Sequence, residues 1–485
     1  MTRYIAKPII LLVVLATVLI VTQLSNKSPL PIVTIRSQHR PHYVHRRPFP
    51  KSPSLEELPE PLQPQIPRCR TLPGAEDVLV VMRTGSTEIK DKLPIHFNTT
   101  FKCYPDTLLF SDYAETFEGY EIHDALARVP EHIKQTNEDF ELYRRLRENG
   151  RGVLTESELS GPESPDSGQI GKLENKGWKL DKWKFLPMMA DVLEMRPDKK
   201  FYIFVEPDTY LMWSNLLEWL RTVDPSQERY FGSETMIGED LFGHGGSAFL
   251  LTNSALKKGV GSYLSRTEYW DEVTNWHWAG DCVAGKALSE VGIPLTFSWP
   301  MFQGGNPAHI SWNEAKGPNK LWCSPVFTYH HLTSREVEGL WKFEQRWVSR
   351  QHARTGEDGV VAHIPRPQSV LAESPLSRDS IIRHRNVFDD YLLKNLKARQ
   401  RNWRNNAGSL LENTKGISMS DCRTLCQYDE TCVQFSVDAS GCFVGDRFEG
   451  GQAGEHVQSG WLMDRIDAWT KTFRCEDRNL DWITR

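Results

Sequence analysis

Two acidic residues, Glu206 and Asp208, flank Pro207 directly after the apolar run Phe201–Val205 (FYIFV). A buried strand holds the loop behind it rigidly, and i, i+2 spacing can aim both carboxylates at one point. Hard divalent cations such as Mn2+ or Mg2+ take oxygen ligands, and a cation held there can grip a nucleotide's diphosphate. The same triplet also describes a solvated turn. Other residues have chemistry in reach. Thr84-Gly85 closes a second apolar run, Val78–Met82, where a ligand can sit at a strand's carboxyl end. Gly245-Gly246-Ser247 lacks the Lys and the spacing of a phosphate-binding loop, so its glycines either let backbone approach a sugar or make a tight turn. Trp276 and Trp278 could stack on pyranose faces or fill a core.

The elements that must position these groups are legible as patterns. Val78–Met82 and Phe201–Val205 read as buried parallel strands, and the patterns between and after them as helices. Trp178–Met195 has Trp183, Leu186, Ala190 and Leu193 at helical spacing, with Pro187 requiring a kink or a late start. Ser214 is a fair N-cap for a helix whose inner face is Leu216, Leu217 and Leu220. A short helix is expected over Cys282–Glu290, stopped by Gly292. Thr333-Ser334-Arg335-Glu336 is a capping-box pattern opening a helix with Val337, Leu340, Trp341 and Trp347 on one side. Alternating strands and helices predict an α/β body with a mainly parallel sheet flanked by helices.

The amino terminus bears on the compartment. Residues 1–7 carry Arg3 and Lys7, and 8–24 form an uncharged stretch of about 17 residues, the short end of a membrane span. We read it as an uncleaved signal anchor; a cleaved signal peptide is the competing reading, and both send the rest of the chain into the secretory lumen. Ten of the 29 prolines fall within 28–67, so 25–75 reads as an extended stem. This layout suits a single-pass type II protein of the Golgi or ER membrane, with its body lumenal. Residues 76–385 would form the main domain, 386–407 a connector and 408–485 a small disulfide-rich unit. Glu156–Gly171, acidic and rich in Ser, Pro and Gly, reads as a mobile loop.

Nine cysteines agree with an oxidising compartment, and none sits in a zinc-like spacing with His. Cys69, Cys103, Cys282 and Cys323 are dispersed; Cys422, Cys426, Cys432 and Cys442 are clustered; Cys475 stands apart. With four pairs expected among the first eight, Cys475 is the residue left as a free or intermolecular thiol. Asn98-Thr99-Thr100 is a glycosylation sequon. Over 485 residues, 58 basic and 63 acidic side chains give a net charge of −5, which argues against nucleic acid as a partner. A hydrophobic content of 39% excludes wholesale disorder and a polytopic membrane protein.

Six segments, read together, carry a resemblance: VLVVMRTG (78–85), GWKLDKWKFLPMM (177–189), FYIFVEPDTYLMWSNLLEWL (201–220), FGHGGSAFLLTNSAL (242–256), WAGDCVAGKAL (278–288) and TYHHLTSREVEGLWKFE (328–344). In this order they resemble the β1,3-glycosyltransferase group that includes Fringe and the core 1 galactosyltransferase, glycosyltransferase family 31, most closely its fungal branch. The resemblance implies a GT-A fold, a UDP-sugar donor with galactose as the sugar, an inverting reaction, and a glycan or glycoprotein acceptor joined through a β1,3 linkage. It implies an Asp-x-Asp-type site for Mn2+ (or Mg2+) at Asp208, completed by His330 or His331, with His331 ahead. Glu206-Pro207 departs from the family's Asp-Asp, which leaves the donor's ribose contacts open. Asp281 is the candidate general base, which an inverting transfer needs beside the acceptor hydroxyl; its other reading is a simple N-cap of the Cys282–Glu290 helix. By the same resemblance Asp181 and Lys182 would touch the donor; Thr84 and Glu206, at the ends of the two apolar runs, are further donor candidates, and Gly245, Gly246 and Trp278 are the candidates for the sugar or acceptor. Residues 421–445 resemble a PAN/Apple module, implying nested pairs Cys422–Cys442 and Cys426–Cys432. The alternative function is a catalytically inactive GT-A-fold membrane protein that binds carbohydrate or protein through this module.

Overall fold

The computed structural model describes residues 67–160, 175–356, 380–476 and 482–483. The anchor expected at 8–24, most of the stem and most of the 156–171 loop lie outside the described residues. Among the described residues, no helix is long and apolar enough to cross a membrane.

The chain forms an α/β body around an eight-stranded, mostly parallel sheet. Its strands are β1 (Val78–Arg83), β2 (Thr107–Ser111), β3 (Glu115–Phe117), β4 (Tyr120–Asp124), β5 (Phe201–Val205), β7 (Tyr230–Gly232), β10 (Phe249–Thr252) and β11 (Leu295–Phe297). The spatial order is β11-β7-β10-β5-β1-β2-β4-β3. β1 lies at the centre, parallel to both β2 and β5, and β10 runs antiparallel between β5 and β7. Between β5 and β7 comes β6 (Tyr210–Leu211); β8 (Glu234–Ile237) and β9 (Asp240–Gly243) form a hairpin, as do β12 (Ala315–Lys316) and β13 (Asn319–Lys320).

The two central strands are apolar throughout because both of their faces are covered. Val78, Val80 and Met82 of β1 join Phe201, Ile203 and Val205 of β5 in one core layer, which includes the helix Trp213–Leu220. Leu79, Val81, Tyr202 and Phe204 point the other way, into a layer built from helices Gly177–Met195, Asn253–Ser265 and Gly280–Glu290. This period-2 division of a continuous apolar run is the mark of a strand buried on both sides.

Several local expectations are revised. The helix Gly177–Met195 runs through Pro187 without ending there; Pro187 forfeits one backbone bond while its neighbours Leu186, Met188 and Met189 are buried against the sheet. Ser214 lies inside the helix Trp213–Leu220 rather than capping it, and both its amide and its hydroxyl donate to Glu344. The helix bearing Asp281 starts at Gly280, two residues earlier than its pattern suggests, so Asp281 sits in its first turn. The capping box at Thr333 forms, with Glu336 accepting from the Thr333 amide and hydroxyl. It opens the helix Ser334–Gly356.

The 386–407 stretch, expected as a connector, is folded. It contains β15 (Arg399–Arg404), an outer strand of a five-stranded antiparallel sheet with β16 (Ser409–Leu410), β17 (Gln434–Asp438), β18 (Gly441–Gly445) and β19 (Gln452–Trp461). The strand that precedes these in the chain, β14 (Thr328–Tyr329), pairs with β6. The helix Met419–Tyr428 lies on the small sheet, tied by Cys422–Cys442 and Cys426–Cys432, the nested pairs the PAN/Apple resemblance implies.

The remaining disulfides correct the cysteine assignment. Cys69 pairs with Cys103, but Cys323 pairs with Cys475, which is therefore not the leftover thiol. The free cysteine is Cys282, buried in the helix Gly280–Glu290, and burial pushes its thiol up to about 12. Asn98 is exposed, as a glycosylation acceptor must be.

Candidate functional site

β1 and β5 end side by side, and their carboxyl ends open into a cleft of about 400 Å³. A crevice outside the carboxyl ends of parallel strands is where open α/β sheets place ligands. The Glu206-Pro207-Asp208 turn follows β5 directly. Its shape is held at three backbone points: the Thr209 amide donates to Glu206, the Leu332 amide to Asp208, and His96 Nε2 to the Pro207 carbonyl at 2.7 Å. A carbonyl only accepts, so Nε2 carries the His96 proton and Nδ1 accepts from Thr100. Burial lowers His96 to about 4, in keeping with this neutral ring.

The two histidines arrive through the antiparallel pairing of β14 with β6, where Tyr329 lies opposite Tyr210. Continuing that register brings His330 opposite Thr209 and His331 opposite Asp208. Ligand atoms of Asp208, His330 and His331 all lie within 4.8 Å of one another. Asp208 Oδ1 is buried and faces His330 Nδ1 at 3.3 Å without a well-formed hydrogen bond, so it keeps acceptor capacity that a cation would satisfy. Burial pushes the Asp208 carboxyl up, but Lys92 and His330 outweigh it and hold the group well below the ordinary range. The Thr209 hydroxyl donates to the Gly246 carbonyl and sits 3.0 Å from His330 Nδ1, so Nδ1–H is the donor in that contact. Burial opposes charge on His330, but Asp208 and Glu206 outweigh it and raise the ring, so the Nε2 lone pair is available only once that proton is lost. His331 is exposed over the residue as a whole and has φ +58°, while partial desolvation of its ring in the cleft and the neighbouring His330 lower it to about 4, so unlike His330 it is held neutral. One carboxylate oxygen and two imidazole nitrogens are a donor set that first-row divalent cations accept more readily than Mg2+ or Ca2+ does.

Glu206, expected to join this group, does not. Its carboxylate is paired with Arg83, the last residue of β1, and reaches only 3.9 Å from His330 Nε2. Arg83 also binds Asp181, and its guanidinium lies over the Phe185 ring at 4.1 Å. Asp208 Oδ2 is held by Lys92 at 3.0 Å. Both carboxylates of the turn thus have an internal cation as partner.

Asp281 lines the same cleft. Its Oδ2 accepts from the Gly245 amide at 2.8 Å and its Oδ1 from the Cys282 amide at 2.8 Å. Burial raises this carboxyl, with Gly245 and Arg83 only partly offsetting the effect. Gly280 lets the helix start dock here, since a Cβ at that position would run into Lys182 and Phe185. The glycine pair has a steric reason to be glycine. A Cβ at Gly246 would overlap the His330 ring, and one at Gly245 would crowd Phe185, Asp281 and Arg83. One turn therefore spaces Asp281 on one side from His330 on the other.

Comparison with protein-family models and with curated proteins gives no match.

Of the residues singled out in the sequence, Asp181, Glu206, Asp208, Gly246, Trp278, Asp281, His330 and His331 line the cleft, and Gly245 backs it. Lys182 does not: its ammonium turns to the Asn275 carbonyl and to Asp139. Thr84 is buried behind the cleft wall, with its hydroxyl on Glu88 and its carbonyl accepting from Lys184. Trp278, 70% exposed, stands at the mouth with Trp178 and Met236, whereas Trp183, Trp219, Trp270 and Trp312 are core residues. Sequence reasoning missed Arg83, Lys92, Lys184 and His244, all of which line the cleft. For two of them a signal existed: a charged residue ending the apolar run VLVVMR, and a lysine within the apolar stretch of the helix Gly177–Met195.

Proposed function

We propose that this protein is a metal-assisted inverting glycosyltransferase of the GT-A type. It would move a sugar, galactose by resemblance, from a UDP-sugar to a glycan or glycoprotein hydroxyl in β1,3 linkage, within the Golgi or ER lumen. The observation that supports this best is the convergence of Asp208, His330 and His331 in one cleft with Asp281, across the Gly245-Gly246 turn. A divalent cation bound by the first three residues would supply charge neutralisation for the departing diphosphate. The chain's own residues do the rest. Arg83 and Lys184 add fixed positive charge beside the cleft, where developing charge on a leaving group is stabilised in low dielectric. Asp281 Oδ1 and Oδ2 are aimed by two backbone amides, and the carboxylate accepts the acceptor hydroxyl's proton as the new bond forms. Trp278 and Trp178 offer flat apolar faces to sugar C–H groups at the mouth.

The pairing of Arg83 with Glu206 and of Lys92 with Asp208 favours a second reading, a catalytically inactive protein that keeps the fold and binds carbohydrate or protein. UDP release by the purified lumenal region across a panel of UDP-sugars, with and without Mn2+, separates the two. The transferase reading expects Mn2+-dependent release that Asp208→Asn lowers at least 100-fold. Undiminished turnover in that variant removes the metal-site assignment; no turnover and no nucleotide binding supports the second reading.

A further inference from the structure

Lys92 ends the short helix Ile89–Lys92 and reaches into the cleft, where its ammonium lies 2.8 Å from Glu88 Oε2 and 3.0 Å from Asp208 Oδ2. Its side chain is 21% exposed, and its backbone turn is anchored from outside by the Ser334 hydroxyl on the Asp91 carbonyl. Asp208 therefore has one oxygen committed to a fixed cation and the other, Oδ1, without a well-formed hydrogen bond. From this geometry we propose that Lys92 determines which cation the site takes and when. It restricts Asp208 to a single ligand oxygen, and its charge opposes a bare divalent ion until a nucleoside diphosphate arrives to offset it. This inference rests on the metal-assisted reading above.

Two physical effects point in this direction. A positive charge a few ångströms from a divalent ion repels it in a cleft that screens less than bulk water, so metal and Lys92 compete for Asp208. A carboxylate held to one oxygen disfavours Ca2+, which takes six to eight oxygens and often a bidentate carboxylate, and suits the smaller Mn2+ or Mg2+.

The test is Mn2+ binding measured by electron paramagnetic resonance, without and with UDP, on the wild-type lumenal region and on Lys92→Met, Lys92→Gln and Lys92→Arg. We expect UDP to tighten wild-type Mn2+ binding about tenfold or more. The two neutral variants should bind Mn2+ alone about tenfold more tightly than wild type and lose most of the UDP effect; Lys92→Arg should stay near wild type. Using two neutral replacements of different polarity keeps the result independent of one variant's folding, which melting curves check. Mn2+ affinity in Lys92→Met and Lys92→Gln within twofold of wild type overturns the role of Lys92. If Asp208→Asn still abolishes binding in that case, the metal site itself stands. Absence of Mn2+ binding in all of the proteins, with UDP present, overturns the metal reading and this inference together.

Discussion

Asp281 is held by two backbone amides and by its place in the first turn of a helix, so its carboxylate has little freedom to reorient. Burial raises its proton affinity, which makes it a stronger base than an exposed aspartate and sets the pH range in which it can act. In the proposed general-base role the unprotonated form is the one that acts, so transfer should rise with pH through an inflection above the ordinary carboxylate value of about 4. Asp281→Asn should lower kcat by about 100- to 10,000-fold, remove that inflection and leave UDP affinity within a few-fold of wild type. Steady-state rates from pH 4 to 8 with isothermal titration of UDP check this. A variant retaining more than a tenth of wild-type kcat would leave Asp281 with only its structural bonds to Gly245 and Cys282. At this scale the histidines were the harder case: His330 and His331 are adjacent in sequence, yet one is buried against Gly246 and the other is exposed.

The elements that bring Asp208, His330 and His331 together are tied by a side chain that no motif draws attention to. Glu344, on the helix Ser334–Gly356, accepts from the Tyr210 hydroxyl at 2.6 Å and from the Ser214 amide and hydroxyl at 2.8 and 2.7 Å. It thereby fastens the segment after Asp208, including β6 and the following helix, to the helix that begins just after His331. Losing it strands three buried donors, each costing about 1–3 kcal/mol. Glu344→Ala should destabilise the protein by about 3 kcal/mol or more in urea unfolding, and Glu344→Gln, which keeps an acceptor oxygen, by less. A loss below 1 kcal/mol for Glu344→Ala would show that these donors find other partners. The period of the helix predicts Val337 and Leu340 as buried, and both are; it gives no reason to bury a glutamate on the same face.

The body and the disulfide-rich sheet share a core. Val433, Phe448 and Trp461 pack in one cluster with Trp312, Trp322 and Phe388, and the Gly450 amide donates to the Ala308 carbonyl at 2.7 Å. Trp482 stacks on Phe327, and Ile483 is buried among residues around β1 and β5. Cys323–Cys475 closes this arrangement across 152 residues of chain. A loop of that length loses much entropy on closure, so Cys323→Ser or Cys475→Ser should cost about 2–5 kcal/mol of stability. Peptide mapping without reductant should find Cys282 as the unpaired thiol, reacting with alkylating agents only after denaturation. Labelling of Cys475 in the native protein would contradict the pairing.

Much of the α/β body was legible because its information is local. A five-residue apolar, β-branched run bounded by turn residues is too short for a helix and reads as a strand covered on both faces, and a Thr-x-x-Glu box closes on itself within one turn. The Glu-Pro-Asp turn was legible for the same reason, since a strand's end fixes the loop behind it. What the tertiary structure decided is which distant groups face these. Nothing in the spacing of Glu206 and Asp208 says that Arg83 will take the first and Lys92 half of the second, because those contacts come from strand order and from a helix over 100 residues away in the chain. The odd cysteine shows the same division. Counting established that one thiol is unpaired, but pairing follows distance in space, and the chain's return across the body brings Cys475 to Cys323 while burying Cys282 inside a helix.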